Sequence, residues 1–125
     1  MKLFTEKQKT QLIKNHKINE ELYEKWEDWI DFKPVVKLFW WPWTWLLSEL
    51  DPITNIAFGV ADLSLWFCEA WSVGIDELQE LKIPNKMIFS NWDERVFYTY
   101  VERDLFFTPH KPLTEYIWDW EIDYN

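Results

Sequence analysis

Apolar and polar positions along the chain change period twice, and each change marks a new kind of element. Near the start, Thr5 and Gln8 form a capping box, and Leu12, Ile13 and His16 follow as a short apolar stripe. This predicts a first helix ending near Asn15 to Lys17. Asn19 can cap a second helix, with Ile18 packed on Tyr23 as a hydrophobic staple. Leu22, Tyr23, Trp26, Trp29 and Ile30 then share one face, and Glu20, Glu21, Glu24, Lys25, Glu27 and Asp28 lie elsewhere. Lys33-Pro34 ends this helix, because the residue before proline is pushed out of the helical region.

From Val35 the pattern is that of strands. Val35 to Trp40 and Thr44 to Leu50 are β-branched and aromatic runs around a Pro-containing turn, the signature of a hairpin. A three-residue loop from Pro42 to Thr44 would set Lys37 opposite Glu49, and a two-residue loop would set it opposite Ser48. Asp51-Pro52 closes the second strand, and Ile56 to Leu63 is a third. A short helix over Ile75 to Lys82, a loop at Ile83-Pro84-Asn85 and one long or two short strands over Val96 to Phe107 follow. Pro112 opens a last helix, with Leu113, Tyr116, Ile117 and Trp120 on one face. The expected fold is α+β: a small antiparallel sheet, a meander plus a C-terminal strand, flanked by an N-terminal helical pair and a C-terminal helix. At 125 residues it is expected to be a single domain, 1–125.

Charge narrows the partners. Residues 1–17 carry five Lys and one Glu, net +4, and residues 18–125 carry eight basic and twenty-one acidic residues, net −13. So acidic a body repels phosphates, so direct nucleic-acid binding is disfavoured and a basic protein groove is the complementary partner. The longest apolar run, Leu38 to Leu47, is interrupted by Pro42 and Thr44 and is too short to span a bilayer. One cysteine, Cys68, and no signal-peptide pattern make a cytoplasmic location the expectation.

Pro34-Val35-Val36-Lys37-Leu38-Phe39, Thr44-Trp45-Leu46-Leu47-Ser48-Glu49-Leu50-Asp51-Pro52, Ala57-Phe58-Gly59 with Asp62-Leu63, Glu69, Glu77-Leu78, Glu102-Arg103-Asp104-Leu105-Phe106-Phe107 and Lys111-Pro112-Leu113 together resemble a small bacterial family of unknown function. The resemblance implies carriage on plasmids, phages and integrated mobile elements, beside antirestriction and conjugation genes. It implies no activity. The chain departs from the family pattern at Trp40 to Trp43, where a longer Gly-rich turn is usual, and at Trp71, where Gly is usual. It also departs over roughly 85–100, where a short Gly-containing loop is usual.

Eleven Trp residues are the strongest compositional signal, four of them in Trp40-Trp41-Pro42-Trp43-Thr44-Trp45. Alternation along a hairpin would bury some of these rings and leave others free to touch a partner, so Trp40, Trp41, Trp43, Trp45 and Trp71 are the candidate binding residues. Lys37, Glu49, Asp62, Glu69, Glu102 and Asp104 form the candidate polar site, as a ligand or metal site or as ordinary sheet ion pairs. Cys68, flanked by Phe67, Glu69 and Trp71, is expected to be structural. No phosphate loop, nucleophile elbow or zinc-ligand spacing is present, so no catalytic residue, metal or cofactor is expected. The expected function is that of a non-enzymatic accessory protein of a mobile element. It would bind a host or defence-system protein with a basic groove and inhibit nucleic-acid-targeting immunity. The alternatives are a small-molecule or carbohydrate binder using the Trp rings, a metal-assisted enzyme using the strand carboxylates, and homodimerisation through the Trp surface.

Overall fold

A computed structural model describes residues 2–40, 42–63 and 68–118. Its order is α1 (Glu6–Glu24), β1 (Val36–Trp40), β2 (Trp43–Asp51), β3 (Ile56–Asp62), β4 (Cys68–Gly74), α2 (Ile75–Glu80), β5 (Lys82–Ile88), β6 (Glu94–Tyr100), β7 (Glu102–Arg103) and α3 (Glu115–Trp118). The architecture is α+β, with a five-stranded antiparallel sheet in the order β4-β3-β2-β1-β7 and a separate hairpin, β5-β6.

The predicted helical pair is one helix. Thr5 and Gln8 make the capping box as expected, but α1 runs through Asn15 and Asn19. Both side chains are buried against the sheet: Asn15 donates to the Ser48 carbonyl, and Asn19 bonds to Ile30 and Glu49. A partner on a neighbouring strand removes the reason an Asn has to bond its own backbone and break a helix. Of the residues whose periodicity suggested a second helix, Leu22 and Tyr23 lie in α1, Trp26 follows its end, and only Trp29 and Ile30 belong to a strap over residues 27–35. The Asn19 amide accepts the Ile30 N–H and donates to the Ile30 carbonyl, occupying backbone groups that a helix would need.

β2 is the centre of the sheet, buried without interruption from residue 44 to residue 50 because both faces are covered. One face, with Val36, Leu38, Trp45, Leu47, Leu50, Ala57 and Ala61, packs on Leu3 ahead of α1, on Leu12 of α1 and on Ile75 and Leu78 of α2. The other, with Leu46 and Val60, packs on Leu113 and Tyr116 of the C-terminal segment, as the spacing after Pro112 predicted. Asp31 fastens that segment by accepting from the Thr114 backbone N–H and hydroxyl. Trp120 and the rest of the predicted last helix lie outside the described residues.

The first hairpin closes at Trp40↔Trp43, so Lys37 pairs with Leu46 rather than with Glu49 or Ser48. A bulge between Leu47 and Glu49 on the β3 side shifts the register around Ser48, keeping both Leu47 and Leu50 on the core face. Gly59 has a specific reason to be glycine: a Cβ there would sit 1.9 Å from the Leu46 carbonyl oxygen.

The pattern did not predict β4, which extends the meander to four strands, or β5, which occupies the expected 83–85 loop. The long C-terminal strand is the two short ones, β6 and β7. Residues 82–100 form an arm whose β6 strand is exposed along its whole length. No helix among the described residues is long and apolar enough to cross a membrane.

Candidate interaction surfaces

Alternation assigns each predicted Trp a face. Trp40, Trp43 and Trp45 all lie on the core side of the sheet, where their rings form a ladder. Trp40 and Trp43 are 5.1 Å apart, and Trp43 and Trp45 meet edge-on at 6.4 Å. Trp45 is buried. Trp40 and Trp43 are half-covered, and the Trp40 indole donates to the Thr99 hydroxyl of the arm at 2.6 Å. This part of the run is therefore a graded core whose outer end supports β6. Trp71 on β4, paired with Gly59 of β3, is 41% exposed. Trp41 lies outside the described residues.

The polar residues do not converge on one point. Register places Asp62, Thr44, Phe39 and Glu102 in a single row across four strands. Three inter-strand gaps of about 4.8 Å put roughly 14 Å between Asp62 and Glu102, too far to share one ion. One row away, Lys37 is buried with its ammonium 3.5 Å from Asp104. Glu49 faces Phe58 at the far end of the same face, and Glu69, paired with Ala61, lies on the opposite face and is exposed. Among the described residues no three His, Cys, Asp or Glu side chains are grouped to hold a metal ion. The Cys68 side chain lies outside the described residues.

Glu49 is the most unusual carboxylate. It is buried between α1 and the strap and accepts from the Asn19 amide and the Trp29 indole, each at 3.1 Å. Burial pushes its carboxyl above the usual value, against the opposing pull of those two donors and of His16. His16 lies 3.2 Å from Glu20 and 3.9 Å from Asp51, whose carboxyl is held low chiefly by the Ile53 backbone N–H. This cluster ties α1, the strap and β2 together, which is a structural task.

The aromatic groups that face solvent are elsewhere. At the end of α1, the Glu27 N–H bonds to the Leu22 carbonyl and the Trp26 N–H to the Tyr23 carbonyl, the paired bonds of a Schellman cap. That motif needs a left-handed residue, usually glycine, and here it is Trp26, with φ 58°. Trp26 is 97% exposed and Tyr23 83%, with Glu20, Glu21, Glu24, Glu27 and Asp28 exposed around them. The apolar period placed both rings on one apolar face of a second helix. The sequence signal for the true arrangement is the lack of any glycine before Gly59 to close α1. A second left-handed Trp, Trp92 (φ 65°), stands at the tip of the arm.

A cleft of about 520 Å³ separates the arm from the sheet. Phe39, Trp40, Tyr98 and Tyr100 give it aromatic walls, and Asn85, Thr99 and Glu102 supply polar groups.

The molecule is thus an α+β domain with a five-stranded antiparallel sheet and aromatic groups displayed on an acidic body. The chain belongs to the DUF2958 family of proteins of unknown function, whose model matches residues 3–121. No curated protein and no solved structure matches it.

Proposed function

We propose that the protein is a non-enzymatic binding module, an accessory protein of a mobile element. In this reading it occupies a basic groove on a host or defence-system protein that acts on nucleic acid. The observation that carries the proposal is Trp26. A bulky residue in a left-handed cap costs on the order of 1–3 kcal/mol, and an almost fully exposed ring recovers little of that by packing. Such a residue costs folding free energy, and recognition is the task that large exposed Trp and Tyr side chains perform best. The carboxylates around it provide the complement to a basic groove and make association salt-dependent. The mechanism is steric: Trp26 and Tyr23 anchor in an apolar pocket while the acidic collar covers cations that would otherwise meet phosphate.

The test is affinity capture from host lysate at low and high salt, using wild type and a Trp26→Ala/Tyr23→Ala variant. The expected result is a nucleic-acid-acting protein retained by wild type at low salt and lost in the variant. Equal recovery with the variant sinks the reading.

The cleft between the arm and β1 favours a second reading, a small-molecule or carbohydrate site with Trp40 and the two tyrosines as stacking platforms. It expects a ligand-dependent change in Trp fluorescence that Tyr98→Ala abolishes.

A further inference from the structure

The cleft between the arm and the sheet opens at the end of β1 for a reason of register. β7 pairs with β1 only at Leu38 and Phe39, so Trp40 has β2 on one side and the cleft on the other. Phe39 and Trp40 belong to opposite faces of the strand, and both line the cleft because no neighbouring strand continues past Phe39. From the arm, β6 contributes Tyr98 and Tyr100, each about half exposed. The volume of about 520 Å³ lies within the usual range of small-ligand pockets, roughly 300–1,000 Å³.

Hydrogen bonding within the cleft narrows what it can hold. Trp40 has one donor, its indole N–H, and gives it to the Thr99 hydroxyl. The Asn85 amide donates to the same oxygen at 3.1 Å, and the Thr99 hydroxyl donates to the Ile83 carbonyl. These groups therefore satisfy one another. What is left for a ligand is chiefly aromatic surface and the carboxylate of Glu102, the one charged residue among the described lining residues. Glu102 is exposed and, among the described residues, takes part in no hydrogen bond or ion pair. The Tyr98 ring already has the Lys82 ammonium 5.2 Å from its centroid, so it is the least available of the four rings.

Each class of occupant can be weighed against that lining. An anion is repelled by Glu102 and by a chain of net −9. A sugar needs donors as well as acceptors, and the indole and hydroxyl donors here are in use. A neutral apolar ligand would cover Glu102 without pairing it. A plain ammonium carries three N–H groups that all seek acceptors. A cation whose charge is spread over methyl groups has no such need, and it is attracted both to ring faces and to a carboxylate. We infer that the cleft binds a quaternary or fully methylated ammonium group, with its charge beside Glu102 and its methyl groups against Phe39, Trp40 and Tyr100. The inference rests on the reading of the cleft as a small-molecule site and is independent of the collar at Trp26.

The test is titration of the full chain in phosphate buffer, followed by NMR of its backbone and indole N–H groups. The probes are choline, its neutral analogue with tert-butyl in place of trimethylammonium, ethanolamine, glucose and N-acetylglucosamine. Choline is expected to shift the signals of Trp40 and Tyr100 and to bind more tightly than every other probe. Glu102→Gln and Tyr100→Leu change half-exposed or exposed side chains and should leave thermal melts nearly unchanged. Each is expected to weaken choline about fivefold. The inference is overturned if the neutral analogue or ethanolamine binds as tightly as choline, or if Glu102→Gln leaves choline binding unchanged. A sugar that binds where choline does not overturns it and keeps the cleft as a carbohydrate site. If no probe shifts the cleft signals, the inference and the small-molecule reading fall together.

Discussion

Asn19, in the middle of α1, donates to the carboxylate of Glu49 on β2 over 3.1 Å, and the same carboxylate oxygen accepts the Trp29 indole. One buried acceptor thus holds a helix and a strap on the central strand. Removing it by Glu49→Ala strands two donors and is expected to cost about 2 kcal/mol. Glu49→Gln keeps an acceptor oxygen and is expected to cost less than half as much. Urea unfolding of both variants at neutral pH measures the difference.

The same residue sets a pH dependence. Because burial raises the Glu49 carboxyl above its ordinary 4.5, the folded state holds that proton more tightly than the unfolded state. Its contribution to stability is complete below the unfolded value and is lost as the pH rises through the folded one. Glu49→Gln removes this loss, so the variant should gain on wild type as the pH is raised from the carboxylate range to neutrality. A difference that stays flat or runs the other way in thermal melts contradicts the assignment.

Gly59→Ala is expected to be among the most damaging single-methyl changes, because the added carbon meets a backbone oxygen of β2 that is fixed by the sheet. The expected loss is about 3 kcal/mol or more, with part of the protein found insoluble. The matching control is Gly74→Ala, where the nearest atom is the flexible Glu77 side chain at 3.3 Å, and it should be mild.

The Trp ladder is graded, and its truncation should be as well. Trp45→Ala empties a buried site and is expected to cost about 3–5 kcal/mol. Trp43→Ala, at a half-covered position, should cost clearly less. Equal losses in denaturant melts would mean that the ladder is buried uniformly.

Trp26→Gly is expected to raise stability by about 1 kcal/mol, since glycine adopts the left-handed cap without strain and little packing is lost. The proposed function requires the same variant to lose partner capture. A variant that is more stable and still binds would assign Trp26 no recognition role.

Several elements could be placed from local pattern because short-range physics specifies them. The Thr5/Gln8 box, the turn after Asp51, the strand over Ile56–Asp62 and the helix after Gly74 depend on neighbours within a few residues. The candidate sites were less legible. The polar residues share only their place in sequence motifs, and the register of five strands is what shows Asp62, Glu102 and Glu69 to be far apart or on different faces. Trp45 and Trp26 are chemically identical in the sequence, and it is their backbones that make one a core residue and the other an exposed ring.

The sequence by itself determined the α+β class, the acidic body, the abundance of Trp and membership of a family without an assigned activity. Tertiary structure decided that α1 is continuous, that residues 27–35 are a strap and that residues 82–100 stand out as an arm. The reason is that these choices rest on bonds between distant residues. Asn19 remains helical because Ile30 and Glu49 satisfy it, and the strap stays extended because Asn19 and Asp31 hold it against the sheet and the C-terminal segment. Local periodicity cannot report a hydrogen bond to a residue thirty positions away.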